Sequence, residues 1–177
     1  MLDANIKTQL KAYLERVTQP IEIVASLDDG PKSREMKELL DDVAAQSSLI
    51  TLIERRDDNE RKPSFSVGPE GGEARVRSLV DRFYDLMDIE PAYHELRVAH
   101  GSTLDDARQK LFWFLCGWLG GPSHYEDRFG HPRLRMRHMP FAIGIQERDQ
   151  WLACMDQAMG EVGLDPVLRQ RLNQSFF

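Results

Sequence analysis

Apolar residues follow two different spacings along the chain. From residue 1 to 67, helical spacing after Asp3 predicts an amphipathic helix that ends near Val17. A short β-branched strand at 21–27, a helix capped by Ser33 and strand-like stretches at 49–53 and 62–67 follow. This strand–helix–strand order predicts a parallel strand pair with a right-handed crossover.

Beyond the Gly- and Pro-rich stretch 68–72, the pattern becomes helical. Single apolar stripes predict helices at 74–87, 104–119, 147–159 and from about 165, and Ser102 and Thr103 are predicted to cap the second of these. The stretch 123–137 has little periodicity. We therefore predict an α+β chain with one domain at 1–67 and an all-helical domain at 68–177.

Composition and charge exclude several classes of protein. A net charge of −6 and a pI near 5.4 leave no basic excess to neutralise phosphates, so we expect neither nucleic acid nor an anionic membrane as a partner. The first fifteen residues lack an apolar run and no membrane-spanning stretch occurs, so we expect a cytoplasmic protein. Cys116 and Cys154 form no C-x-x-C motif, which excludes dithiol redox chemistry and a structural zinc cluster.

The stretch 130–141 concentrates residues that can carry chemistry. It places His138 among arginines and between Met136 and Met139. Imidazole is the commonest axial ligand of haem iron, and guanidinium groups pair with carboxylates such as haem propionates. An arginine-rich segment is more often a solvated face, however, so this stretch alone leaves both interpretations open.

Motifs in the first 67 residues resemble a known redox protein. The segments 1–3, 7–14, 26–29, 37–40 and 61–65 together resemble the first thioredoxin-like repeat in the flavoprotein subunit of alkyl hydroperoxide reductase. The resemblance implies a partial thioredoxin-like β-α-β unit with an interaction or scaffold role, and makes Pro63 a candidate cis proline. The loop 28–33 reads Asp-Asp-Gly-Pro-Lys-Ser where a thioredoxin holds its cysteines, so thiol exchange is chemically unavailable.

A second set of motifs covers the helical part. The segments 71–74, 82–84, 111–115, 117–122, 130–141 and 147–152 occur in an order that resembles the group II truncated haemoglobins over residues 70–177. The resemblance implies an all-α two-over-two truncated globin fold and haem b as the cofactor. The family usually extends its last helix beyond the point that corresponds to residue 177, and its leader is replaced here by the thioredoxin-like segment.

The resemblance to truncated haemoglobins also implies roles for individual residues. His138 matches the proximal histidine that binds the iron. Tyr84 and Trp151 match distal hydrogen-bond donors, and His100 falls where a third distal donor is found. Ala107 matches the small residue that opens a route for ligand entry.

Further residues follow from the same comparison. The walls of the haem pocket are expected from Leu111, Phe112, Phe114 and Leu115. Candidates for binding the propionates are Lys110, Tyr125, Arg135 and Arg137.

Three functional hypotheses remain open. In the first, a five-coordinate iron with a polar distal pocket binds dioxygen, carbon monoxide or nitric oxide, and slow release disfavours bulk oxygen transport. In the second, the protein is a haem-dependent peroxidase or nitric oxide dioxygenase in stress defence, supplied with electrons by an unidentified reductase; no catalytic residue is assigned. In the third, the chain is an interaction module without haem.

Overall fold

The computed structural model describes residues 2–56, 60–133, 138, 139, 141 and 143–176. The chain forms two compact units, Met1–Gly72 with Gly120–Pro122 and Glu73–Leu119 with Ser123–Phe177. The junction near residue 68 stays a prediction. The two compact units divide four residues later, after Gly72.

The first unit combines helices with a three-stranded sheet. Its elements are α1 (Ala4–Leu14), β1 (Ile21–Ser26), α2 (Pro31–Ala44), β2 (Ile50–Arg55) and β3 (Ser64–Pro69). The strand order is β2-β1-β3. Strand β1 runs parallel to β2, with Ile21 opposite Ile50, and antiparallel to β3, with Ile21 opposite Pro69. The predicted parallel pair is therefore present.

A small apolar core stabilises this sheet. Its buried members are Ile23, Ala25, Leu27, Leu40 and Ile50. Partly buried side chains of α1 and α2 pack against them, Leu14 and Met36 among them. Since α1 contains no buried residue, its contribution to this core comes from partly exposed side chains.

The starts of the helices test the predicted caps. Asp3 caps α1, since its Oδ1 accepts a hydrogen bond from the Ile6 amide at 2.8 Å. Ser33 does not cap α2, which begins at Pro31 because proline suits the first helical position. The buried Ser33 hydroxyl instead donates to Asp28 Oδ1 at 2.6 Å. The Lys62–Pro63 peptide bond is cis, as the sequence suggested.

The second unit contains helices and no strand among its described residues. Its elements are α3 (Gly72–Ile89), a 3-10 turn (Pro91–Tyr93), α4 (His94–Ala99), α5 (Asp105–Trp118), α6 (His124–Phe129), α7 (Ile145–Glu161) and α8 (Pro166–Phe176). The short helix α6 lies in the stretch that showed little periodicity. Ser102 and Thr103 were wrong as caps, because Leu104 occupies the cap position and no side chain bonds there. The acidic Asp105 and Asp106 interact favourably with the positive end of α5 instead.

Helices α3, α5 and α7 supply most of the core of the second unit. Its least exposed side chains are Val80, Phe83, Leu86, Met87, Leu115, Cys154, Met155, Ala158 and Met159. Both cysteines are buried, and burial raises the pKa of the Cys116 and Cys154 thiols to about 12. They therefore serve as small core residues. Among the described residues, no helix is long and apolar enough to cross a membrane.

Candidate functional site

Tyr84 lies on the inner face of α3, where it belongs to the core of the second unit. Its side chain is only 4% exposed. The ring packs edge-on against Phe83, with centroids 4.9 Å apart, and against His100, with centroids 5.9 Å apart. These two edge-on contacts restrict the orientation of the Tyr84 ring.

The hydroxyl of Tyr84 makes no hydrogen bond with any residue that the structure describes. A buried tyrosine hydroxyl normally has a partner, since burial without one costs free energy. Burial raises the pKa of Tyr84, and the positive charge of Arg108 offsets only part of that rise. The phenol therefore keeps its proton at neutral pH and remains available as a donor inside this unit.

Trp151 on α7 packs against Phe83, which also packs against Tyr84. Its ring centroid lies 5.4 Å from that of Phe83 and 5.3 Å from that of Phe176 on α8. As with Tyr84, its indole N–H has no hydrogen-bond acceptor within the described parts of the chain. Indole nitrogen can only donate, so this region contains a second donor that a ligand can use.

His100 follows α4 and borders Tyr84. Its Nδ1 lies 2.8 Å from the carbonyl oxygen of Leu96. A carbonyl can only accept a hydrogen bond, so Nδ1 carries the proton and Nε2 of the neutral ring is an acceptor. Donation from Nε2 to a distal ligand requires a second proton on the ring.

Helix α5 contributes the apolar surface predicted for the pocket walls. Phe112 and Leu115 are buried, and Ala107, Leu111 and Phe114 are partly buried against the same core. Four of these five side chains are large and hydrocarbon in character. Their hydrocarbon character suits contact with a flat apolar molecule.

The residues predicted to bind propionates have different environments. Lys110 Nζ lies 2.7 Å from Asp106 Oδ2 and 5.7 Å from the ring centroid of Phe129. An exposed pair one helical turn apart contributes only about 0.3–0.5 kcal/mol, so this ammonium group can exchange partners. Tyr125 is buried, with its ring 6.2 Å from that of Phe114. The predictions for Arg135 and Arg137 fall outside the described residues.

His138, the predicted iron ligand, is exposed. Its carbonyl accepts from the Phe141 amide at 3.0 Å, and its ring makes no hydrogen bond with a described residue. Met139 and Phe141 beside it are 80% and 55% exposed, which is unusual for large apolar side chains. The structure places Tyr84 and Trp151 against Phe83, and His100 against Tyr84, whereas no described contact joins His138 to them.

Sequence reasoning missed Arg108, the residue after Ala107. Its guanidinium group bonds to Asp81 and Asp85 on α3, and its Cζ atom lies 5.7 Å from the ring centroid of Tyr84. The spacing of two aspartates one turn apart was a signal for a cation on a facing helix. Nothing in the sequence indicated which cation.

Comparison with known proteins identifies the second unit. The family described as bacterial-like globin matches residues 70–176. The chain belongs to this family. The group 2 truncated hemoglobin of Bacillus subtilis is 41% identical over 101 residues, which cover 57% of this chain and 74% of that protein. A cold-adapted truncated hemoglobin from Pseudoalteromonas haloplanktis has a TM-score of 0.58 and 45% identity, and the match covers 60% of this chain and 86% of that one.

The first unit matches a different protein. The F component of the alkyl hydroperoxide reductase of Xanthomonas campestris is 56% identical over 77 residues, which are 44% of this chain. The chain spans only 14% of the length of that relative. Both resemblances found in the sequence are thus confirmed, as is the α+β class with a truncated globin fold.

Globin membership makes this chain a haem-binding protein, and the residues present fit that group. A haem needs an apolar surface for its flat ring and an imidazole nitrogen for its iron. Helix α5 supplies the former, and the ring of His138, which no described residue hydrogen-bonds, can supply the latter. Tyr84 and Trp151 add two donors that have no acceptor among the described residues, which is what a polar diatomic ligand needs.

Proposed function

We propose that the globin unit of this protein binds dioxygen and related diatomic gases at haem b, with His138 as the proximal ligand and Tyr84 and Trp151 as distal donors. The observation that carries the proposal is a pair of donors, the phenol of the buried Tyr84 and the indole of the partly buried Trp151, that have no acceptor among the described residues. In a protein interior such groups are rare, and a ligand that accepts hydrogen bonds would satisfy both.

The cofactor, when bound, supplies a five-coordinate iron whose open position takes a diatomic gas. The chain determines how long the gas stays. Tyr84 and Trp151 donate to the negatively polarised oxygen, and hydrogen bonds to charged groups contribute about 1.5–3 kcal/mol each. Two such bonds make release slow, which favours storage, sensing or reaction of the gas over its bulk transport.

His100 has a supporting role in this proposal. With its Nδ1 proton bonded to Leu96, the neutral ring can accept a hydrogen bond but cannot donate one to the gas. The small side chain of Ala107 leaves room for ligand entry. Leu111, Phe112, Phe114 and Leu115 exclude water around the cofactor, while Lys110, Tyr125, Arg135 and Arg137 remain our proposed propionate partners.

A visible absorption spectrum tests this proposal directly. The protein would be measured as isolated, after reduction with dithionite, and after addition of carbon monoxide. We expect a Soret band that shifts with carbon monoxide, because the gas takes an open axial position. The absence of a Soret band after reconstitution with haem would contradict the proposal and would favour the interaction module without haem.

The first unit favours a second candidate function, a haem-dependent peroxidase or nitric oxide dioxygenase. Its similarity to one component of a hydroperoxide reductase supports a link to peroxide chemistry and a cytoplasmic reductase as the electron donor. Turnover of hydrogen peroxide with a reducing dye, and consumption of nitric oxide by the oxygen-loaded protein, would be compared with free haem. Rates no higher than those of free haem would reject both enzyme activities and leave gas binding alone.

A further inference from the structure

Arg108 joins α5 to α3 through three hydrogen bonds. Its Nη1 lies 3.0 Å from the carbonyl oxygen of Asp81 and 3.0 Å from Oδ1 of the same residue, and its Nη2 lies 2.7 Å from Asp85 Oδ1. The side chain is only 25% exposed. A planar guanidinium group can engage two carboxylates at once, whereas a lysine ammonium group acts as a single point charge.

The position of these contacts connects them with the distal side of the site. Asp81 and Asp85 lie one turn apart on α3, and Tyr84 lies on the turn between them. The Cζ atom of Arg108 is 5.7 Å from the centroid of the Tyr84 ring. Arg108 therefore links the helix of Ala107 to the helix of Tyr84 close to the Tyr84 ring.

We infer that Arg108 is a positioning residue that holds the Tyr84 hydroxyl where a diatomic ligand can accept its hydrogen bond. This inference rests on the proposed function. An O–H···O hydrogen bond requires about 2.5–3.0 Å between oxygens, so a shift of α3 against α5 by about 1 Å would weaken it severely.

The positive charge of Arg108 also favours binding of the ligand. Without it, the carboxylates of Asp81 and Asp85, which flank Tyr84 along α3, would lose the cation that lies 3.0 and 2.7 Å from them. The uncompensated field of these carboxylates disfavours negative charge on a nearby oxygen ligand. Arg108 compensates these carboxylates and favours the polarised ligand that Tyr84 binds.

The test compares Arg108→Gln and Arg108→Lys in the haem-loaded full chain. We expect Arg108→Gln to speed dioxygen release about 3- to 10-fold, the size of coupling found between contacting residues. The C–O stretching frequency of the carbon monoxide complex should rise, because a weaker distal field leaves more C–O bond order. Arg108→Lys should show a smaller change than Arg108→Gln, because lysine keeps the positive charge but lacks the planar group that bonds to both carboxylates.

Arg169→Gln is the matched control. Arg169 on α8 pairs with Asp156 on α7 through the same planar group, with Nε 2.7 Å from Asp156 Oδ1, and makes no described contact with Tyr84. This variant should lose stability without a change in release rate or C–O frequency. Equal changes in both arginine variants would overturn the inference, because they would reveal a general effect of weaker helix packing.

A double variant separates this inference from the proposed function. If Arg108 acts chiefly through the Tyr84 hydroxyl, Arg108→Gln should have a much smaller effect in a Tyr84→Phe background, where only its charge still acts on the ligand. An undiminished effect there would overturn the inference while the distal role of Tyr84 stands. If Arg108→Gln does not fold, Asp81→Ala with Asp85→Ala removes both side-chain acceptors of Arg108, and an unchanged release rate would likewise overturn the inference.

Discussion

The substitution His138→Ala is expected to abolish stable haem binding. In our proposal this imidazole is the only iron ligand that the chain provides, and a methyl side chain offers no lone pair in its place. Changes to groups that merely support a metal ligand already reduce affinity about 10- to 100-fold, so loss of the ligand itself should exceed that range. Haem transfer to an acceptor globin, followed at the Soret band, measures the effect.

His131→Ala is the matched control for this experiment. His131 is also exposed and lies seven residues earlier, and its Nδ1 only accepts from the Arg133 amide, at 3.2 Å. Haem retention should be unchanged. Added imidazole should restore a Soret band to His138→Ala, which would distinguish a missing ligand from misfolding. Full retention by His138→Ala without imidazole would show that another residue binds the iron.

Long helices were predictable because their apolar stripes are long. The stripe at 74–87 corresponds to α3, and that at 147–159 corresponds to α7, which begins at Ile145. The parallel pair of β1 and β2 followed from β-branched stretches on either side of a helix. In each case the pattern extends over enough residues for burial to determine the element.

The starts of helices and the short helix α6 were harder to predict. Ser33, Ser102 and Thr103 are good capping residues by type, yet Pro31 and Leu104 determine where the chain turns into a helix. A cap depends on the backbone angles of one residue, which neighbours several positions away influence. Helix α6 has only six residues, too few for a periodic stripe.

The candidate site was predictable only through the family resemblance. By its spacing alone, Tyr84 is one more residue of an apolar stripe, and only the structure reveals that its hydroxyl has no described partner. The tautomer of His100 depends on the Leu96 carbonyl, four residues earlier. Arg108 bonds to Asp85 and Asp81, which lie 23 and 27 positions earlier, and periodicity carries no information over such separations.

The substitution Tyr84→Phe is expected to speed dioxygen release about 10- to 100-fold. That factor corresponds to the loss of one hydrogen bond to a charged acceptor, about 1.5–3 kcal/mol. Phenylalanine keeps the ring that packs edge-on against Phe83 and His100, so only the donor is removed. Stopped-flow replacement of dioxygen by carbon monoxide measures the rate.

Tyr93→Phe removes a hydroxyl from the same unit and serves as the control. Tyr93 is also buried, but its hydroxyl donates to Gln157 Oε1, so its loss should lower stability and leave gas release unchanged. If Tyr84→Phe released dioxygen at the original rate, the enclosed hydroxyl would not bind the gas. Trp151 would then be the remaining distal donor, because the neutral ring of His100 has only an acceptor to offer. Trp151→Phe, which leaves an aromatic ring against Phe83 and removes the N–H, would then have to produce the acceleration.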